Sequence, residues 1–193
     1  MRPIPGKANS CLMKNMLKIV FGLILIINVG AADRPTIGQP YQGGIIAYFF
    51  KAGDPGYVAG ETHGLIAAPS DQGTAIPWYN GSYIITGAAG TALGTGMANT
   101  KAIVAKQGPG NYAARVCADL VIDGYDDWFL PSKDELNKLY DSKRAIGGLA
   151  EQRFWSSSEA DVNNAWPQNF ANGYQYHLYD KYYEIRVRAV RVF

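Results

Sequence analysis

Asn172-Gly173 separates two alternating runs, Ala165–Phe170 and Tyr174–Tyr179. It is the strongest short hairpin signal in the chain, because both residues tolerate the positive φ of a type I′ turn. A second turn near Asp180-Lys181 leads into a closing run over Tyr183–Phe193. There Ile185, Val187, Ala189 and Arg191 alternate with Glu184, Arg186, Arg188, Val190 and Val192. The spacing predicts a three-stranded antiparallel β meander at the C-terminus, and the preceding chain must supply the layer it packs on.

That layer is mixed. Gly44–Phe50 and Leu65–Ala68 read as β-strands, the second closed by Pro69, and Asp71–Gly96 reads as a long structured loop with Ile76-Pro77-Trp78-Tyr79 embedded in it. Two or three helices follow. One covers about Met97–Lys106. A second is capped by Asn111, with Ala113, Val116, Cys117 and Leu120 on its apolar side. A third covers 132–142, where Ser132 and Glu135 have capping-box spacing and Leu136, Leu139 and Tyr140 face inward. Gly147-Gly148 lies past its end. The fold class is therefore α+β. With 193 residues, 48% hydrophobic and 18% charged, the chain is the size of one globular domain, and wholesale disorder is excluded. Its 22 Gly and 10 Pro show no period, which excludes collagen.

The first 32 residues stand apart. A basic stretch, Met13–Lys18, precedes the eleven-residue run Ile19–Val29 and the small residues Gly30-Ala31-Ala32. That is the order of a secretory signal peptide, and the run is short for a membrane span, although an uncleaved anchor is the alternative. The residues before Met13 read as upstream sequence from a start set too early. The expected organisation is thus 1–32 signal peptide with upstream extension, 33–42 linker, and 43–193 a single domain. Residues 1–32 hold Arg2, Lys7, Lys14 and Lys18 and no acid, so the remaining chain carries 14 bases against 16 acids. A net of −2 with no basic stripe argues against nucleic acid as a partner.

Little in the sequence suggests bond chemistry. Cys117 is the one cysteine after the leader, and it falls on an apolar helix stripe. His63 and His177 are the only histidines. Asp123, Asp126 and Asp127 lack calcium-loop spacing, and a turn of solvated acids facing Arg186 or Arg188 accounts for them. Those two arginines and Arg191 could receive an anion, but pairing with neighbouring acids is the commoner outcome. Ser156-Ser157-Ser158 has no identifiable base or oxyanion hole beside it. No metal, cofactor or catalytic residue is expected.

The abnormal composition lies between Asn163 and Tyr183. Asn163, Asn164, Trp166, Asn169, Asn172, Tyr174, Tyr176, His177, Tyr179, Asp180, Tyr182 and Tyr183 crowd into this stretch. As a regular strand it would carry Tyr174 and Tyr176 on one face and His177 and Tyr179 on the other. Tyrosine offers large rigid contact area and a hydroxyl at low entropic cost, so a ligand-binding surface explains the pattern. A solvated β-ribbon explains it equally well, since tyrosine favours strands.

The run Gly124-Tyr125-Asp126-Asp127-Trp128-Phe129-Leu130-Pro131-Ser132-Lys133-Asp134-Glu135-Leu136 is followed by Phe154–Glu159, Ala165-Trp166, Asn169-Phe170, Gly173 and Val187–Arg191. In that order these blocks resemble the C-terminal domain of collagen-like (Lcl-type) bacterial surface adhesins, over about Gly43 to Phe193. Members with this ending are similar to the variable proteins of diversity-generating retroelements, where adenine-directed mutagenesis yields Asn, Asp, Tyr, His and Ser. The resemblance implies a C-type-lectin-like fold that displays residues 163–183 to a protein or glycan ligand at a cell or host surface, and it is compatible with an oligomer. It also implies adhesion to polyanionic glycans through lysines, but Lys181 is the lone lysine of the segment. Family members often carry a cysteine where Ala189 stands, so the implied tie to Cys117 is missing. Two rival readings are an adhesin domain without diversification and an enzyme like the sulfatase-modifying oxidases, whose copper-binding cysteine pair has no counterpart here.

Overall fold

The computed structural model describes residues 34–149 and 151–193. The segment read as a signal peptide lies outside the described residues. The elements fall in one unit, Pro35–Phe193, built on two sheets.

Four strands make the first sheet, in the order β1 (Pro40–Tyr41), β2 (Gly44–Phe49), β3 (Gly64–Ala67) and β9 (Val190–Val192), all antiparallel. The second is ordered β4 (Gly73–Ile76), β8 (Ile185–Val187), β5 (Arg153–Glu159), β6 (Asn164–Asn169) and β7 (Tyr179–Asp180). Its β5–β8 pairing is parallel and the others are antiparallel. Helices α1 (Gly96–Gln107), α2 (Ala113–Ala118), α3 (Lys133–Asp141) and the single turn α4 (Lys143–Ile146) complete the α+β architecture. The described residues thus hold four helices, one more than expected.

Extended segments run between two apolar clusters and feed them alternately. Ile66, Trp128, Leu130 and Trp155 belong to one cluster, and Leu65, Ala67, Phe129 and Phe154 to the other. Successive side chains of a strand point to opposite faces, so a strand with core on both sides must be apolar throughout. This is why β3 is buried at every position. The first cluster leans on its tryptophans: Trp155 donates its indole N–H to the Ile76 carbonyl (3.0 Å), and Trp78 donates to the Ser156 carbonyl (2.8 Å).

Helix α3 starts as its sequence requires. The Ser132 hydroxyl accepts from the Glu135 N–H, and the Glu135 carboxylate accepts from the Ser132 N–H at 2.7 Å. Helix α2 differs by one residue: Tyr112 is its N-cap, not Asn111, and no side chain caps it. Tyr112 is fully buried, so ring burial sets the start of this helix. Cys117 lies on the buried side as expected, where burial pushes its thiol well above the usual range.

Three expectations fail for physical reasons. The stretch 71–96 is not surface loop alone, since β4 pairs with β8 and Ile76, Trp78 and Ala88 are core. The type I′ signature occurs elsewhere, at Gln42-Gly43, both at positive φ between the paired Tyr41 and Gly44. The linker read over 33–42 therefore ends in a strand.

The predicted meander does not form either. The closing run splits into β8 in one sheet and β9 in the other. The step between them is set by Arg188, 1% exposed, whose guanidinium pairs with Asp71 (2.6 Å) and donates to the carbonyls of Ala68 and Gly148. Arg186 shares Asp71 at 2.7 Å. The partner of these arginines is thus Asp71, and Asp127 pairs instead with Arg191 at 2.6 Å.

Candidate functional site

The unusual composition of 163–183 is folded into a hairpin whose inner side is fixed by polar hooks. After β6 the chain turns through 170–173, with the Asn169 N–H donating to the Tyr174 carbonyl and the Gly173 N–H to the Asn169 carbonyl. Gly173 sits at φ +79°, where a Cβ would lie 2.7 Å from the Tyr140 ring, so this position requires glycine. Asn172 keeps a negative φ. Its side-chain oxygen instead accepts from the Tyr174 N–H, an Asx turn.

The return limb is tied inward by glutamines. Gln168 donates to the Asn137 side chain (2.7 Å) and the Gly173 carbonyl, and Gln175 donates to the Lys133 carbonyl (2.8 Å) at the start of α3. With Gln175 held inward, Tyr174 and Tyr176 on either side of it face out. Ladder pairing then lapses at His177-Leu178 and resumes at β7, where Asn164 and Ala165 pair with Asp180 and Tyr179. The interruption displaces the alternation, so Tyr179 rejoins the face that carries Tyr176. The expected two-sided distribution of rings is replaced by one band.

That band is continuous. Ring centroids lie 4.7 Å apart for Tyr174–Tyr176, 5.8 Å for Tyr176–Tyr179, 4.8 Å for Tyr179–Tyr183 and 4.4 Å for Tyr183–Tyr182. Five tyrosines therefore touch in series, each contact contributing about 0.5–1.5 kcal/mol beyond area burial. Tyr174, Tyr182 and Tyr183 are 58%, 50% and 41% exposed, and Tyr176 and Tyr179 are half-buried. Tyr179 also meets the Trp155 edge at 5.5 Å, which couples the band to the core. Arg153 places its guanidinium 5.2 and 5.5 Å from the Tyr176 and Tyr179 centroids.

Beside the band, exposed His177 lies 5.7 Å from half-buried Trp166, over which the Lys133 ammonium sits at 5.1 Å. The asparagines serve turns more than the surface. Asn164 donates to Asp161, Asn169 accepts from the Ala171 N–H, and the Asn163 N–H donates to Asp161. Asp180 accepts from the Tyr83 hydroxyl at 2.7 Å and from the Tyr182 N–H.

Hydroxyl acidity differs along the band. The Asn169 amide and the Arg153 guanidinium hold the Tyr176 hydroxyl below the usual tyrosine range. A hydrogen bond with Tyr183, partial burial and the Asp180 charge raise that of Tyr182. The hydrogen bond to Asp180 raises Tyr83.

Sequence reasoning missed what pins the band in place. Lys181 is fully buried, its ammonium 2.7 Å from the Glu159 carboxylate, 2.9 Å from the Val162 carbonyl and 4.7 Å from the Trp78 ring centroid. Glu159 also accepts from the backbone N–H groups of Thr86 and Gly87. The lone lysine of the segment is therefore an anchor, unavailable to any anionic ligand.

Other candidates for chemistry are structural. Ser156, Ser157 and Ser158 are buried, and their hydroxyls bond to the Trp166 carbonyl, the Asn99 amide and the Gly90 carbonyl. His63 pairs with Glu61 and the Phe193 carbonyl. Among the described residues no group of three acidic, histidine or cysteine side chains could hold a metal, and no helix is long and apolar enough to cross a membrane.

A cleft of about 320 Å³ lies between α1 and residues 126–129, lined by Met97, Lys101, Val104 and Trp128, and takes no residue of the band. The segment that borders it does a different job. Phe129 exchanges backbone hydrogen bonds with Val190 (2.8 and 2.9 Å), and Arg191 lies over the Tyr125 ring at 4.1 Å. Blocks 124–136 and 187–191, far apart in sequence, are thus one scaffold on which the band rests. The chain belongs to the Lcl C-terminal domain family, whose model matches residues 69–191. No curated protein matches the chain.

Proposed function

We propose that this chain is an exported, non-enzymatic ligand-binding domain, and that the band Tyr174–Tyr176–Tyr179–Tyr183–Tyr182 is its recognition surface. The observation that carries the reading is the outward ladder of touching rings on a rigid base. Rings already held by neighbours lose little freedom on binding, which is what makes a preorganised surface effective. Membership of the Lcl C-terminal domain family supports a role in surface adhesion. The engagement of the buried serines in structural hydrogen bonds supports binding over catalysis.

The architecture we propose is C-type-lectin-like. What supports it is that β2 and β3, from the start of the domain, share a sheet with the closing β9, while an irregular region between them carries the band. We further read the band as diversified. The Asn, Asp, Tyr and His residues of 163–183 are types that adenine mutagenesis produces, and the glutamine hooks and Lys181 anchor hold the backbone independently of the outward tyrosines. A template repeat with adenines at the codons for 163–183, beside a reverse transcriptase, supports this; a locus without one leaves an undiversified adhesin domain.

The binding reading is tested by screening residues 33–193 on an array of neutral and acidic glycans and against a random displayed-peptide library. Ligands that drop away for the Tyr174→Ala/Tyr176→Ala/Tyr182→Ala variant support it. Ligands held equally by that variant overturn it.

A further inference from the structure

The surface around the band is wider than the tyrosines and has a definite chemistry. The Lys181 ammonium lies within 3.4 Å of the Ile84 carbonyl and 2.9 Å of the Val162 carbonyl, so the 79–87 loop and the 160–163 turn converge over it. Tyr83 closes the same seam by donating to Asp180 and by packing on Tyr79, with centroids 4.8 Å apart. Aliphatic side chains project from the seam and the band: Ile85 is 59%, Val162 39% and Leu178 68% exposed. The charges in this area are unequal. Asp161, Asp180 and exposed Glu184 stand against Arg153, because Lys181 and Glu159 neutralise each other below the surface and Lys133, over Trp166, has the Asp134 carboxylate at 3.6 Å.

From this we infer that the ligand is a protein segment carrying arginine or lysine next to aliphatic residues, clasped between the tyrosine band and the 79–87 loop. The inference rests on the reading of the band as a recognition surface. Exposed Ile85, Val162 and Leu178 give a sugar ring nothing to stack or hydrogen-bond with, whereas they bury against aliphatic side chains of a polypeptide. The acidic balance favours a cationic partner and disfavours an acidic one. The chain supplies its own example of the contact: Arg153 already rests on two of the rings, and Tyr174 and Tyr182, at the two ends of the band and 58% and 50% exposed, are accessible to a second guanidinium.

The experiment pans a random twelve-residue displayed-peptide library against residues 33–193, then measures the enriched peptides on Ile85→Asn, Glu184→Gln and Tyr174→Ala/Tyr182→Ala. Enrichment of arginine or lysine within two positions of leucine, isoleucine or valine is expected. Affinity should drop at least fivefold for Ile85→Asn and for Tyr174→Ala/Tyr182→Ala, and severalfold for Glu184→Gln with a weaker salt dependence. Enriched peptides that lack basic residues, or that ignore Ile85→Asn, overturn this inference; if they still require the tyrosines, the recognition surface itself stands. Failure of any peptide to enrich also overturns it. Peptides indifferent to every variant overturn the recognition surface as well. Circular dichroism of Ile85→Asn must match the parent, and Ile85→Thr serves as the second variant.

Discussion

Lys181 and Glu159 form an ion pair at 2.7 Å with both side chains out of water, at 0% and 4% exposure. The pair joins the end of the tyrosine band to the end of β5. It therefore decides whether the band is held in register with the core.

Removing one partner leaves a buried charge without compensation, at a cost of about 3–5 kcal/mol. Lys181→Ala should lower the melting temperature by about 10 °C or more, and Glu159→Gln should behave similarly. Lys181→Met combined with Glu159→Gln should cost clearly less than the sum of the two single losses, because glutamine keeps an acceptor for the Thr86 and Gly87 N–H groups while no buried charge is left. A double-mutant cycle by thermal denaturation checks this, and additive losses would contradict the pairing.

The band should show a graded response to truncation. Tyr174 and Tyr182 are exposed and have one ring neighbour each within the band, so alanine there should cost about 1 kcal/mol or less. Tyr179 meets Trp155, Tyr176 and Tyr183, and its replacement by alanine should cost about 2 kcal/mol. Chemical denaturation of the three single variants gives the order directly.

The tyrosines should ionise separately. Asn169 and Arg153 favour the Tyr176 phenolate, so Tyr176 titrates below the ordinary value of 10.0, while Tyr182 titrates above it. A lowered folded-state value means that this group adds stability above the unfolded tyrosine range, and the contribution is lost as pH falls through the folded value. Absorbance titration near the phenolate band should lose its earliest component in Tyr176→Phe, and that component should move toward the ordinary value in Arg153→Gln.

The reciprocal tryptophans give a further test. Trp155→Phe leaves the buried Ile76 carbonyl without its donor, a loss of about 1–3 kcal/mol, and adds the cost of the gap left by the larger indole. Trp78→Phe should cost a similar amount through the Ser156 carbonyl. Urea midpoints check both.

Local signals were legible in the sequence and long-range ones were not. Ser132 and Glu135 announce α3 because a capping box is complete within four residues, and Gly44–Phe49 announces β2 by its apolar run. Trp78 lies in text with loop composition, and only the arrival of Ser156 and Lys181 makes it core. The closing run alternates like one strand, yet buried Arg188 reaching Asp71 breaks it into two sheets, and no local pattern encodes that partner. The candidate site divides the same way. Its outward tyrosines follow from composition, while their merging into one band depends on a lapse in pairing at His177-Leu178, and the anchoring of Lys181 depends on Glu159.

The most direct test of the account pairs capture with melting for Tyr174→Ala/Tyr182→Ala, using whichever peptide or glycan the screens enrich. The account predicts capture reduced at least fivefold, with the melting temperature within about 4 °C of the parent. Capture retained in full, or a melting temperature that collapses as in Lys181→Ala, would show that these rings do not form a recognition surface.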